Sequence, residues 1–289
     1  MAVDVFGLKN KMIITQLTGG LGNQMFIYAM GKAVANRLGV EFKIDTTIYK
    51  EHKKRKYQLN NFNISAKEAS VFEIAIRKYN PFRKIVKDEK YEFIPSALEL
   101  PDNSYIDSFI HNYWHVWQSE KYFTEIEDIV RKEFTLKEPL PKNTDKLIES
   151  TKTTNSVSVH IRRTDYKEPK QQAIFKLCTP EYYSDAISYI SKKVGNPKFF
   201  VFSDDLEWSK TLPFPKDTIF IGPEFGLQDF QELIVMSKRK HNIIANSSFS
   251  WWAAWLNENP RKIVITPKKW FVKPDINEKD LIPEKWIKL

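Results

Sequence analysis

The stretch Val157-Ser158-Val159-His160-Ile161-Arg162-Arg163-Thr164-Asp165-Tyr166 decides the fold class. Val157, Val159 and Ile161 are β-branched and alternate with other residues, the two-residue period of a strand with a buried face. The run then delivers two arginines and an aspartate to the end of that strand. An arginine fork suits a phosphate or diphosphate better than an apolar sheet. Ligands of open α/β sheets bind outside the carboxyl ends of the strands. The stretch therefore predicts an anionic ligand at the C-terminal edge of a sheet, with a carboxylate beside it. Because side chains alternate, Arg162 and Arg163 cannot both face that ligand unless the strand has already turned. Arg162 is assigned to the diphosphate. Arg163 either supports it or pairs with Asp165 or another carboxylate.

The second half of the chain repeats a strand–helix rhythm around this run. Strands are predicted at 157–161, 198–202, 218–221, 242–245 and 262–266, with helices at 180–193, 206–212, 227–238 and 250–258. Thr179-Pro180 is a cap and first-turn pair for the first of these helices. In the first half, a strand over 12–17, the turn Gly19–Gly22, a helix over 24–38 closed by Gly39 and a strand over 41–45 make a βαβ unit. Residues 66–100 read as helical and then irregular, 105–110 as a strand, 120–134 and 143–150 as helices. Prolines 139 and 141 put a domain boundary near 140–155, giving domains 1–150 and 151–289. Short apolar strands alternating with helices imply parallel sheets covered on both faces.

Composition narrows the class further. The 289 residues hold 42% hydrophobic residues, with 20 Phe, 12 Tyr and 8 Trp, enough for a large core. One cysteine, Cys178, allows no internal disulfide and fits a reducing compartment. No apolar run approaches the ~20 residues that cross a bilayer, and Met1–Lys11 lacks the order of a signal peptide. A cytoplasmic protein is expected, with weak peripheral contact at the inner face of the membrane allowed by the charge. The net charge is +9, with lysines scattered apart from clusters at 52–56 and 268–273, and no nucleic-acid-binding motif accompanies them.

Several residues carry candidate chemistry. His160 is either a ligand contact or a satisfied core histidine. Asp165, nearest the proposed diphosphate, is either an acceptor base or the group that orients the arginines. Asp204 and Asp205 end another strand, as nucleotide contacts or as a helix cap. Asn246, Ser247 and Ser248 stand where a helix begins, as caps or as a second anion site. Asp229 and Glu232 are further nucleotide candidates. Trp114 and Trp117 either stack on a sugar or pack a core, whereas Trp251, Trp252 and Trp255 are spaced to dock a helix. The turn Gly19–Gly22 is neither GxGxxG nor a P-loop. No DxD pair occurs, and His111 and His115 lack the partners of a zinc site, so no metal is expected.

Three ordered segments, Gly19–Phe26, HIRRTDY at 160–166 and NSSFSWW at 246–252, resemble the inverting α1,2-fucosyltransferases of bacterial type. Trp117–Phe123 is similar to a fourth segment, and the resemblance spans about Ile13 to Phe271. Two departures stand out: Thr164 occupies a position where many members carry glycine, and 111–116 follows a different pattern. The resemblance implies two Rossmann-like domains facing a cleft, the GT-B type. It implies transfer of L-fucose from GDP-fucose, without metal or other cofactor, to the 2-hydroxyl of a terminal β-galactoside. Arg162 and Asp165 would then be catalytic. His160, Arg163, Asp204, Asn246, Ser247, Ser248, Gly20, Gly22 and Asn23 would bind the donor, and Gln24, Trp114 and Trp117 the acceptor. The second domain would hold the nucleotide. An O-antigen or capsule glycan, lipid-linked or free, would be the acceptor. A sibling transferase of another donor or linkage, or a non-catalytic nucleotide- or polyanion-binding protein, are the alternatives.

Overall fold

A computed structural model describes residues 11–51, 55–79, 93–107, 109–110, 113–114, 117–274 and 276–289. His111, His115 and most of the cluster at 52–56 lie outside the described residues. The chain divides into two units, Met1–Lys137 with Asn277–Leu281, and Glu138–Ile276 with Ile282–Leu289.

In the first unit, β1 (Met12–Gln16), α1 (Leu21–Leu38) and β2 (Glu41–Asp45) form the expected βαβ element. Then come β3 (Lys67–Glu68), α2 (Val71–Lys78), β4 (Tyr105–Ile106), the antiparallel pair β5 (Phe109–Ile110) and β6 (Tyr113–Trp114), and α3 (Glu127–Glu133). The sheet runs β3-β2-β1-β4, and every pairing in it is parallel. Gly39, in the left-handed region at φ 64°, caps α1 through its N–H. Gly31 serves closeness instead: a Cβ there would come within 2.7 Å of the Phe42 ring and collide with Thr15 Oγ1. That missing methyl lets α1 lie directly on the sheet.

The predicted helix at 120–134 is broken into 3-10 turns at Glu120–Tyr122 and Thr124–Ile126 before α3. Phe123, between the two turns, and Ile126, at the end of the second, are both buried, so tertiary packing sets the chain direction there against the helical pattern.

The second unit contains α4 (Asp145–Thr153), β7 (Asn155–Ile161), α5 (Pro169–Gln172), α6 (Pro180–Val194), β8 (Pro197–Ser203), α7 (Leu206–Ser209), β9 (Ile219–Ile221), α8 (Asp229–Ser237), β10 (His241–Ile243), α9 (Ser248–Leu256), β11 (Val264–Thr266) and β12 (Ile287–Lys288). Its sheet runs β12-β11-β10-β7-β8-β9, all parallel. Thr179 caps α6 by accepting from the Tyr182 N–H, as its sequence predicts. Val157, Val159 and Ile161 point into one core with Tyr183, Ala186 and Ile190 of α6. Trp251 and Trp252 are fully buried, and Trp251 also meets Trp286 at 5.4 Å, so these tryptophans fasten α9 to its sheet.

The break at Lys137–Glu138 comes before the expected 150, because α4 packs against β7 and belongs to the second unit. Residues 277–281 return to the first unit, where Asp280 accepts from Lys121 Nζ at 2.5 Å and from the Phe93 N–H at 3.0 Å.

Candidate nucleotide site at the carboxyl edge of the second sheet

The order of strands marks the place for a ligand. From β7 the chain passes to β8 and β9 on one side, then crosses to β10, β11 and β12 on the other. The crevice between β7 and β10 is therefore the point where connections diverge, the usual binding position in such sheets. The register pairs His241, Asn242 and Ile243 with Val157, Ser158 and Val159. Continued, it brings the chain leaving β7 at Arg162 beside the chain leaving β10 at Asn246. The Tyr166 hydroxyl ties the two loops by donating to the Asn246 carbonyl at 2.9 Å.

The two arginines separate as alternation requires. Arg162 donates from Nε and Nη2 to the Asp165 carboxylate at 2.9 and 2.6 Å, with Asp204 Oδ2 at 3.4 Å from Nε. The described contacts leave its second terminal nitrogen uncommitted. Burial alone would lower the Arg162 pKa, but the hydrogen bond and charge of Asp165 and the charge of Asp204 outweigh it and raise it. The guanidinium therefore stays cationic. Arg163 instead lies over the Trp208 ring at 3.5 Å, with Asp205 Oδ2 at 3.5 Å from its Nε. It supports the loop by stacking on α7.

Asp204 is the loop's anchor. Its carboxylate accepts from the Arg163 N–H at 2.9 Å, the Thr164 N–H at 3.2 Å and the Thr164 hydroxyl at 2.6 Å. Thr164 thus gives a bond to Asp204 that a glycine could not. The cap of α7 is the neighbouring Asp205, which accepts from the Trp208 N–H at 3.2 Å and from Lys167 Nζ at 2.9 Å. With its carboxylate spent on three donors of this loop, Asp204 holds the arginines in place.

His160 lies on the same side of β7 as Arg162, buried, with its ring 5.5 Å from Phe249 of α9. Burial and then the Arg162 charge push its pKa down to about 3, so the imidazole is neutral at physiological pH. Its Nδ1 is buried with no hydrogen-bond partner. Ser247 occupies the N-cap of α9 without a side-chain cap bond. Ser248 begins the helix itself. Glu232, in the first turn of α8, has its pKa raised to about 7 by burial and then by Asp229. A carboxyl so perturbed near a strand-end crevice is a functional-site candidate.

Three expected ligand contacts are turned to structural use. The Asn246 amide donates to the Lys176 and Trp270 carbonyls at 2.6 and 2.9 Å, and its oxygen lies 3.5 Å from Cys178 Sγ, so none of it faces a donor molecule. The Gln24 amide donates to the Gly19 and Lys56 carbonyls at 3.1 and 2.8 Å and accepts from the Gln58 N–H at 3.0 Å. Gln24 is fully buried, pinning the chain at 56–58 to the glycine turn, so it offers an acceptor nothing. Trp117 is 0% exposed and packs edge-on to Tyr122 at 5.5 Å, so its ring gives no sugar a face. A side-chain amide satisfies backbone or ligand equally well, and an aromatic ring packs or stacks equally well; burial decides each case.

In the first unit Gly20 is the N-cap of α1, and Gly22 is buried in its first turn. Asn23 accepts from Gln118 Nε2 at 2.9 Å. The space above Gly20 belongs to Arg55, whose Nη1 would lie 3.5 Å from a Cβ placed there. Trp114 is in β6 opposite Phe109, and its side chain lies outside the description. Sequence reasoning passed over Arg55, Tyr166, Lys167 and Trp208. Lys167 and Trp208 come together because β7 and β8 end in register at Ile161 and Ser203, which places 162–167 beside 204–208. Among the described residues no cluster of three or more His, Cys, Asp or Glu could hold a metal.

Comparison with known proteins finds relatives over nearly the whole chain. The chain is 36% identical over 96% of its length to an alpha-1,2-colitosyltransferase of Escherichia coli, covering 99% of that protein. It is 30% identical over 94% of its length to the O-antigen biosynthesis glycosyltransferase WbnK of Escherichia coli, again covering 99%. Two crystal structures share the fold at 13–14% identity. They are the alpha-1,6-fucosyltransferase NodZ soaked with GDP-fucose (TM-score 0.51) and NodZ from Bradyrhizobium (TM-score 0.52). Each is matched over 89% of this chain and 95% and 96% of its own length. The fold is accordingly α/β of the GT-B type, built from two Rossmann-like units on parallel sheets. The matching family model spans residues 4–289, and with that span, these relatives and a strand-end arginine site, the chain belongs to glycosyl transferase family 11.

Proposed function

We propose that the protein transfers L-fucose from GDP-fucose to the 2-hydroxyl of a terminal β-galactoside, with inversion and without a metal. The observation that carries this reading is Arg162, a half-buried and firmly cationic guanidinium at the β7–β10 divergence, with one nitrogen uncommitted. Charge grows on the diphosphate as it leaves, and a preorganised donor there is worth ~3–4 kcal/mol in the transition state. The amides at the start of α9 supply a second anchor for the same diphosphate. In this reading the second unit binds the nucleotide, with His160 Nδ1 and Glu232 as further contacts, and Asp165 keeps Arg162 oriented. The first unit carries the acceptor side. The family and the O-antigen name of one relative favour a lipopolysaccharide-type glycan as acceptor.

A second donor has its own support in the 36% identity to a colitosyltransferase. Colitose is fucose without the 3-hydroxyl, so a pocket contact to that hydroxyl separates the two sugars. A site built to bond a hydroxyl rejects the analogue lacking it far more strongly than the reverse. The test is product analysis by mass spectrometry and NMR. The purified protein is given GDP-fucose or GDP-colitose, EDTA and a panel of β-galactosides, with Arg162→Ala as control. An α1,2-fucosylated product that forms in EDTA and is absent from the variant supports the proposal. A product only with GDP-colitose moves the donor, and neither product nor GDP binding sinks the reading.

A further inference from the structure

Helix α2 is built inside out. Its inner face carries Ile74, which joins Met12, Ile14 and Tyr105 in a core, and Arg77, which is 2% exposed. Arg77 is accommodated there by donating to Asn103 Oδ1 at 3.3 Å and to the Glu73 carbonyl at 3.4 Å. Its outer face carries Val71, Phe72 and Tyr79, exposed at 71%, 72% and 78%. Val71, Ala75 and Tyr79 follow one another at helical spacing, with Phe72 and Ile76 on the adjoining ridge. These three are half of the six exposed large apolar side chains among the described residues. An apolar patch gathered on one short helix marks an interaction surface.

Charge says what covers it. The described residues from 50 to 79 hold six Lys and Arg against three Glu, with Arg77 turned inward, within a chain whose total charge is +9. Lys50, Lys56 and Lys67 are exposed. The one carboxylate of α2, Glu73, is neutralised by Lys43 Nζ at 2.5 Å and caps the helix through the Ser70 N–H. An apolar ridge beside exposed Lys50, Arg55, Lys56 and Lys67, against exposed Glu51 and Glu68, is net basic and complements an anionic lipid surface. Apolar side chains gain by leaving water for the acyl boundary, and each nearby lysine adds attraction to acidic headgroups. We propose that the outer face of α2 docks the protein on an anionic bilayer, with Phe72, Val71 and Tyr79 entering the interface. The inference does not depend on which sugar is transferred.

Flotation with phosphatidylcholine vesicles, with and without phosphatidylglycerol, tests it on the whole chain. The protein should float with the phosphatidylglycerol vesicles, more weakly with phosphatidylcholine alone, and less as salt is raised. The double variant Val71→Ser/Phe72→Ser should lose at least about tenfold in vesicle affinity. Unchanged circular dichroism would show that the fold is intact, and Tyr79→Ser provides an independent variant of the same face. Absence of flotation by the wild type overturns the proposal without any variant. Equal flotation of well-folded variants overturns it too. A dimer in sedimentation that the variants dissolve, with no flotation, would give the face to a second copy instead.

Discussion

Glu232→Gln should make the protein more stable, and increasingly so as pH rises. In the native state its pKa is raised from 4.5 to about 7, by burial first and the Asp229 charge second. Between those values the native state binds a proton that the unfolded chain has released. The contribution of Glu232 is therefore intact below about pH 4.5, declines as pH rises, and is lost through about pH 7. At 1.36 kcal/mol per pKa unit, the ionised carboxylate costs about 3 kcal/mol near pH 8 and under about 1 kcal/mol near pH 5. Glutamine keeps the size and a hydrogen-bonding end without the charge. Guanidinium denaturation near pH 5 and pH 8 would measure the difference. Tryptophan fluorescence, to which the cluster of Trp251, Trp252, Trp255 and Trp286 contributes from the second unit, would follow the unfolding. A variant more stable by the same amount at both pH values, or no more stable near pH 8, would show that Glu232 ionises normally and refute the reasoning. If the carboxylate also contacts the nucleotide, the stabilised variant binds GDP more weakly, a trade between stability and function.

Arg162→Ala should reduce transfer by about 10²–10³ or more while the fold persists, and Asp165→Asn with near-normal turnover would exclude Asp165 as acceptor base. Gln24→Ala leaves two carbonyls and one N–H of the first unit without their partner, and should lower that unit's stability by about 2–4 kcal/mol, read by denaturation, with GDP affinity unchanged. His160, with its pKa lowered to about 3, contributes stability that is full above about pH 6.5 and is lost as pH falls toward 3. Its share of the loss is at most about 1.4 kcal/mol per pH unit, so His160→Asn should flatten the acid limb of a stability–pH curve by that amount; an unchanged slope would mean the imidazole titrates normally.

Most elements were legible from local pattern. The strand at 41–45 falls where the alternation puts it, and α6 opens at the Thr179 cap that its sequence announces. Period and capping are properties of neighbouring residues, so one chain segment suffices to reveal them. The family was legible for a related reason: three short segments keep their order and spacing, and the family match covers the chain from 4 to 289. The segment at 120–134 was misjudged because Phe123 and Ile126 are buried by distant parts of the first unit, which local propensity does not register.

The sequence by itself determined that two arginines and an aspartate leave a buried strand, and that this edge suits an anion. Tertiary structure alone decided how they share the work. Arg162 turns to Asp165, Arg163 lies on Trp208, and Asp204 grips the backbone between them. Only the fold, likewise, turned Gln24, Asn246 and Trp117 inward. The physical reason is that an amide, a carboxylate or an indole serves a ligand and the protein's own backbone with the same atoms. Which of the two it meets depends on the chain that packs against it, and that chain lies far away in sequence.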